Sequence, residues 1–281
     1  MIVAEGDGGH RFITQPDHAA LAGRFAERWG NDRVTPPAVP GSAILAAHGH
    51  DAGWWAWDLR PRLTESGDPA GFLAVAAEQW TDFYASGIDA VVEADPYAGL
   101  LCSMHGAGVR RQRYGTHPEI PDRTEAFGEF IRREECRQRR LAERLQAKTD
   151  APVTADTREF LEALHQTGST PVDADAEPVW NDYRRLQVWD RLSLHLCSGL
   201  TYESTAIGPV PMATGVAKST ITVHGASEAT VRLDPYPFDE SPLTVGVDGR
   251  CVADDAWHSE SELIQAYFEA GIDRVEFTLQ G

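Results

Sequence analysis

The sequence predicts a mostly α-helical protein, a helical bundle with a small β-rich C-terminal segment, and hence an α+β fold overall. Apolar residues recur at helical spacing from Asp17 to about Gly199. Beyond Gly199 the pattern changes to short alternating segments rich in β-branched residues, and a proline-rich run at 208–211 marks the change. We therefore expect residues 1–204 to form a helical domain with an N-terminal hairpin. Residues 205–281 are expected to form a β-rich appendage packed on it.

Two short apolar segments, residues 1–3 and 10–13, flank a glycine-rich turn and predict the N-terminal hairpin. This hairpin is also able to pair with the C-terminal sheet. Thr14 then offers a cap for a helix that stops near Gly30. His18 therefore falls in the first turn of that helix.

A second helix is predicted between Ser42 and Gly53, with the pair His50-Asp51 on its C-terminal portion. Further helical patterns follow at 69–86, 89–109, 119–148 and 154–166. The last strong helix runs over about 177–198 and carries Asp190. A bundle of these helices would bring residues that are distant in the chain close together.

Four strands and one helix are predicted after Gly199. The strands cover 219–224, 229–233, 243–247 and 274–279, Asp248-Gly249 forms a hairpin turn, and the helix covers 261–270. A sheet of about four to six short strands is marginal by itself and must pack on the helices. We expect it to cover the helical part or to support oligomerisation.

Composition excludes several classes of partner. The net charge of −18 repels the phosphates of nucleic acids and anionic lipids over most of the surface. No window approaches the roughly 18 apolar residues of a membrane helix, and the N-terminus lacks a secretory pattern. The four cysteines are far apart and form no CxxC pair. These features predict a cytoplasmic protein that acts on a small molecule, and they leave a homo-oligomer open.

Four residues form the candidate metal site: His18, His50, Asp51 and Asp190. Imidazole and carboxylate ligands from several helices suit one or two divalent ions of Fe, Mn, Ni or Zn. Neighbouring residues on a helix diverge by about 100°, so an adjacent His-Asp pair shares an ion only if the two side chains converge from adjacent edges. This arrangement is demanding, and incidental packing does not explain it easily.

The order His18, His50-Asp51, Asp190 resembles the HD-domain superfamily of metal-dependent hydrolases. Position by position, His18 matches the first ligand, His50 and Asp51 the central pair, and Asp190 the last ligand. The resemblance covers about residues 17–199 and implies that the helical domain 1–204 is an HD-like metal-binding domain. A further resemblance spans nearly the whole chain, to an uncharacterised family of bacterial and archaeal proteins with no assigned reaction. It rests on the segments 14–18, 50–54, 103–106 and 189–194.

Three further residues are candidates for catalysis: His105, Arg110 and Arg111. His105 lies in an apolar helical segment, where it acts as a ligand of a second ion, as a general acid, or as a hydrogen-bond donor to a ligand. The alternative is a core histidine bonded to a backbone carbonyl. The arginine cluster 110–113 suits phosphate or carboxylate, and a salt-bridged surface is the alternative interpretation.

These residues lead to a metal-dependent hydrolase that acts on a phosphate ester through a metal-bound hydroxide. A non-haem iron or di-iron oxygenase is the alternative within the same superfamily. Many HD enzymes have a phosphate-contacting Lys where this chain has Trp54, which favours that alternative. A third hypothesis is a small-ligand-binding protein without turnover, with or without a metal.

Overall fold

The computed structural model describes residues 1–6, 8–117, 125–147, 153–172, 174–213, 220–253 and 257–281. Within these ranges the chain forms nine α-helices and seven strands. In chain order they are β1 (Ile2–Gly6), β2 (Gly9–Ile13), α1 (Gln15–Glu27), α2 (Pro40–Gly49), α3 (Trp55–Asp58), α4 (Ala77–Ala94), α5 (Pro96–Val109), α6 (Glu125–Gln146), α7 (Ala155–Thr167), α8 (Pro178–Cys197), β3 (Thr205–Ile207), β4 (Ile221–Ser227), β5 (Thr230–Asp234), β6 (Leu243–Ala253), α9 (Glu260–Glu269) and β7 (Asp273–Gln280).

The strands form one curled mixed sheet of seven strands, a half-barrel in the order β1-β2-β6-β7-β5-β4-β3. Neighbours are antiparallel except for the parallel pair β5 and β7. The predicted hairpin is confirmed as β1 and β2, and so is its pairing with the C-terminal sheet, because β2 lies against β6. The two ends of the chain therefore share one sheet.

The predicted fold class, a helical bundle with only a small β-rich segment, is wrong in the size of the sheet. Pairing of β2 with β6 adds the hairpin, and β3 adds a strand that no sequence pattern predicts. The predicted turn at Asp248-Gly249 is also wrong. Both residues continue through β6, where they pair with Arg274 and Asp273 of β7. Pairing along a strand of 11 residues overrides the turn preference of this dipeptide.

The predicted helices that carry His18 and Asp190 are confirmed as α1 and α8. Helix α1 begins where Thr14 caps it, since its Oγ1 accepts from the Asp17 backbone N–H at 3.1 Å. The predicted helix over 119–148 corresponds to α6, although residues 119–124 and Lys148 lie outside the described residues. Asp7 of the hairpin turn and Ser219 of the first C-terminal strand also lie outside them.

Helix α1 lies between the sheet and the other helices, because it packs against β6 on one side and against α2 and α8 on the other. At its end, Trp29 contacts Trp189 of α8 and Phe238, each with ring centroids 5.7 Å apart. A continuous apolar core therefore joins sheet and helices. None of the described helices combines the length and low polarity that a membrane crossing requires.

Candidate metal centre

His18 reaches the interior from the first turn of α1. Its buried ring places Nδ1 2.7 Å from Oγ of Ser193 on α8. The Ser193 hydroxyl donates its one proton to the backbone carbonyl of His18 at 2.8 Å, so it accepts from Nδ1–H. The neutral ring then carries a lone pair on Nε2, which faces Asp190 at 3.2 Å. The hydrogen bond from Nδ1–H to Ser193 thus fixes the tautomer that a metal ligand needs.

The pair His50-Asp51 lies at the end of α2 and in the turn that follows, not on the last helical turn as predicted. Helix α2 ends at Gly49, and Asp51 has the non-helical angles φ −115° and ψ 21°. Departure from the helix lets the two adjacent side chains converge. His50 donates from Nδ1 to the Ala47 carbonyl at 2.8 Å. Once the ring has lost its Nε2 proton, the Nε2 lone pair therefore faces the same interior point as that of His18.

Asp190 on α8 completes the group. Its Oδ1 lies 3.7 Å from Nε2 of His50, whereas Oδ2 of Asp51 lies 3.6 Å from His50 Nε2 and 3.9 Å from His18 Nε2. Ligands about 2.1 Å from a first-row ion are about 3.4 Å apart in a tetrahedron and about 3.0 Å apart at right angles in an octahedron. The observed separations are therefore close to those around one ion.

Two buried polar atoms show that the residues fit a cation. Nε2 of His50 and Oδ1 of Asp51 have no hydrogen-bond partner in the described part of the chain. Burial of an unpaired polar atom is costly, and a native protein normally satisfies such atoms with a partner, a water or an ion. Imidazole nitrogens and carboxylate oxygens are ligands for Fe, Mn, Ni and Zn. The structure thus contains a buried His/Asp group able to hold a metal ion.

The charges of the group also favour a cation at its centre. Burial lowers the pKa of His50, but the carboxylates of Asp51 and Asp190 outweigh it and raise this pKa to about 9. Burial raises the pKa of Asp190, but the adjacent rings of His18 and His50 and the charge of Arg113 outweigh it and hold this pKa well below its usual range. A positive charge between the two carboxylates is therefore stabilised.

His105 of α5 belongs to a second, overlapping group with His50 and Asp190, whose ligand atoms lie within 4.8 Å of one another. Its Nδ1 accepts from the Gln187 side-chain amide at 2.9 Å, which places the proton of the neutral ring on Nε2. Burial lowers the pKa of His105 well below its ordinary value, so the ring is neutral at pH 7. His105 faces the centre without a charge of its own.

Two buried side chains near the centre were not predicted from the sequence as site residues. Burial and the adjacent Asp51 raise the pKa of Tyr84 on α4 well above 10, so its hydroxyl stays protonated. Arg113 donates from Nη2 to Oδ2 of Asp190 at 3.0 Å. Tyr84 lies in an apolar helical stripe that predicts only core packing. Arg113 belongs to the arginine cluster that was identified, but the sequence does not distinguish it from its neighbours.

The structure places Arg110 and Arg111 on other partners. The Arg110 guanidinium lies 4.3 Å from the ring centroid of Trp80 and 4.0 Å from that of Phe127. Arg111 binds the Glu135 carboxylate and donates to the His165 carbonyl at 2.6 Å. Neither contact involves the His/Asp group. Their predicted role in holding a substrate stays a prediction.

The model of a family described as "Protein of unknown function (DUF3891)" matches residues 1–254. This range includes every residue of the candidate metal centre. Comparisons with curated proteins and with solved structures gave no match.

Proposed function

We propose that this chain, which belongs to the DUF3891 family of proteins of unknown function, is a metal-dependent hydrolase of a phosphate ester. One observation carries the proposal: Nε2 of His18 and Nε2 of His50 each lie 3.2–3.9 Å from a carboxylate oxygen of Asp51 and from one of Asp190. A bound divalent ion supplies a nucleophile at neutral pH by lowering the pKa of its water. The order of these residues along the chain is the reason to propose an HD-type site.

The chain's own residues orient the ligands. Ser193 and the Ala47 carbonyl hold Nδ1–H of His18 and His50, so both rings present Nε2 without rearrangement. Such hydrogen bonds to ligating histidines are worth about 10–100-fold in metal affinity. Arg113 holds the second oxygen of Asp190, which leaves Oδ1 directed to the centre. The protein therefore supplies a preorganised site.

His105 is proposed to act on the leaving group. Its neutral ring keeps a proton on Nε2, so it donates a hydrogen bond to an oxygen that gains negative charge as the ester bond breaks. The second role, ligation of a further ion together with His50 and Asp190, uses the same nitrogen. It requires the reversed orientation of the Gln187 amide, whose Oε1 has no partner within the described ranges.

The overlapping second group is the observation that favours the oxygenase alternative, because two irons need two sets of ligands. His18, His50 and His105 are also almost fully buried, which suits a small gaseous reactant. Iron content of about two ions per chain and substrate-dependent oxygen consumption would favour this alternative. Protein that binds a small ligand but turns over nothing would favour the binding hypothesis.

The test measures metal content and hydrolysis together. Purified protein is analysed for Fe, Mn, Ni and Zn, reloaded with each ion, and assayed with a panel of phosphate monoesters and nucleotides. We expect Asp51→Asn to lose the ion and the activity. His48→Gln is the matched control, since His48 lies on α2 beside the pair but binds Glu27 at 3.0 Å. Wild-type protein that binds no ion, or that hydrolyses esters equally well without one, would contradict the proposal.

A further inference from the structure

A strained turn lies beside the candidate metal centre. Gln112, Arg113 and Tyr114 have φ values of 52°, 47° and 55°, and Gly115 follows with 84°. Three consecutive non-glycine residues in the left-handed region are rare and costly. The turn is held by Thr170, whose backbone N–H and hydroxyl both donate to the Tyr114 carbonyl at 2.9 Å. Such strain tends to persist where it positions a functional group.

The group that the turn positions is the Arg113 guanidinium. Its Nη2 donates to Oδ2 of Asp190, whereas Nη1 is buried and has no hydrogen-bond partner among the residues described. The side chains of His18 and His50 are 0% exposed, whereas those of Asp190 and Arg113 are 5% and 9% exposed, respectively. Arg113 is therefore the most exposed of these four side chains, although all four are buried.

Helix α8 carries two more buried polar groups without a hydrogen-bond partner, on the face that bears Asp190. Tyr183, Gln187 and Asp190 are spaced i, i+4, i+7, so they share one face of the helix. The Tyr183 hydroxyl and the Gln187 Oε1 are buried, and neither finds a partner in the part of the chain that the structure covers. The Tyr183 ring lies 5.9 Å, centroid to centroid, from the ring of Tyr114, the residue that follows Arg113 in the strained turn. Unpaired buried groups concentrated at one place require a ligand or ordered water.

We propose that Arg113 and Tyr183 form an anion site that binds the charged group of the substrate next to the metal centre. The inference rests on the proposed function and specifies which residues recognise the phosphate. A guanidinium arm and a hydroxyl are donors, and donors that lack acceptors select an anion such as phosphate. Gln187 Oε1 is an acceptor and suits a hydroxyl group or a water beside that anion.

Inorganic phosphate is the probe, titrated by calorimetry into the protein at its measured metal content. We expect Arg113→Gln to weaken phosphate binding by at least about tenfold and Tyr183→Phe by roughly threefold or more, since hydrogen bonds to a charged group are strong. Arg184→Gln is the matched control and should change the affinity less than about twofold. Like Arg113, Arg184 has a side chain that is 9% exposed and pairs with a carboxylate, that of Asp175.

Each outcome has one meaning. Loss of phosphate binding with unchanged metal content in Arg113→Gln supports the anion site. Unchanged phosphate binding, or a wild type that binds no phosphate and holds only water there, overturns it. If Arg113→Gln loses the metal ion because Asp190 is no longer held, Tyr183→Phe decides, and an unchanged phosphate affinity in that variant overturns the anion site. If Arg113→Gln does not fold, Arg113→Lys and Tyr183→Phe decide by the same criteria.

Assays of ester hydrolysis distinguish failure of the hydrolase proposal from failure of the anion site. Protein that binds phosphate through Arg113 but hydrolyses no ester keeps the anion site and removes the hydrolase. Metal-dependent hydrolysis with the same KM in wild type and Arg113→Gln keeps the hydrolase and removes the anion site.

Discussion

His165 shows how single contacts hold a buried imidazole neutral in this protein. Its Nε2–H donates to Oε1 of Gln138 at 2.8 Å, and its Nδ1 accepts from Arg139 at 3.2 Å. Burial, together with the charges of Arg139 and Arg111, lowers the pKa of His165 to about 3. Protonation of the folded protein would place a third positive charge beside the two guanidinium groups.

This lowered pKa predicts a loss of stability in acid. The unfolded chain binds a proton at His165 near pH 6.5, whereas the folded protein resists it until about pH 3. The stabilising contribution is therefore complete above pH 6.5 and is lost as the pH falls from 6.5 toward 3. We expect the free energy of unfolding of wild type, relative to His165→Gln, to fall by about 1 kcal/mol per pH unit below pH 6.

Urea denaturation of both proteins at pH 7, 6, 5 and 4 measures this difference. His258→Gln is the control for the removal of a histidine, since His258 is exposed. Parallel profiles for wild type and His165→Gln would show that the buried ring takes up its proton without penalty.

At the residue scale, the chemical types at the candidate site were predictable, and their supporting contacts were not. The ring and carboxylate types of His18, His50, Asp51 and Asp190 indicate metal ligation wherever the fold brings them together. Ser193, which fixes the His18 tautomer, lies 175 residues away in the chain. No local pattern distinguishes such a serine from the others. No local pattern distinguishes Arg113 from Arg110 and Arg111 either, because its position at the site depends on the backbone turn at 112–115.

At the element scale, two glycines set the position of the His50-Asp51 turn. Gly53 and Gly87 of α4 lie backbone against backbone, and a Cβ added at Gly53 would meet the Phe83 carbonyl oxygen at 1.8 Å. A neighbouring backbone atom cannot move away as a flexible side chain can. The absence of a side chain at Gly53 therefore lets the segment after α2 rest directly on α4. This contact brings Asp51 near Tyr84.

Gly53→Ala is expected to destabilise the protein by at least about 2 kcal/mol and to weaken metal binding, because the turn must move away from α4. Thermal unfolding and metal content of the purified variant measure the two effects. Gly41→Ala is the matched control within α2, since no atom lies within 4 Å of its added Cβ. It should leave stability unchanged or slightly raised. Equal melting temperatures for Gly53→Ala and wild type would show that the turn adapts at little cost.

Element types were predicted better than element partners. The alternating patterns at 229–233 and 274–279 predict strands, and all of these residues except Ala229 lie in β5 and β7. The parallel pairing of β5 with β7 joins residues that are distant in the sequence, so no local sequence pattern predicts it. Residues 205–207 form β3 by pairing with β4, although three residues are too few to show a period.

At the scale of the whole molecule, the sheet joins the two ends of the chain. Strand β6 contacts β7 through residues 243–249 and β2 through residues 250–253. It thus connects the N-terminal hairpin to the C-terminal strands. Helix α1, which carries His18, packs on the same strand. The position of this proposed metal ligand therefore depends on residues from both ends of the chain.

Deletion of residues 205–281 is therefore expected to cause aggregation or the loss of cooperative unfolding. It removes β6 from β2, which leaves an unpaired strand edge, and it removes Phe238 from the rings of Phe25 and Trp29. Size-exclusion chromatography and urea denaturation of the truncated protein measure the effect. Co-expression of residues 205–281 as a separate chain should restore soluble protein if the lost pairing is the cause. A truncated protein that stays soluble, unfolds cooperatively and retains its metal ion would instead mean that the helices fold without the sheet.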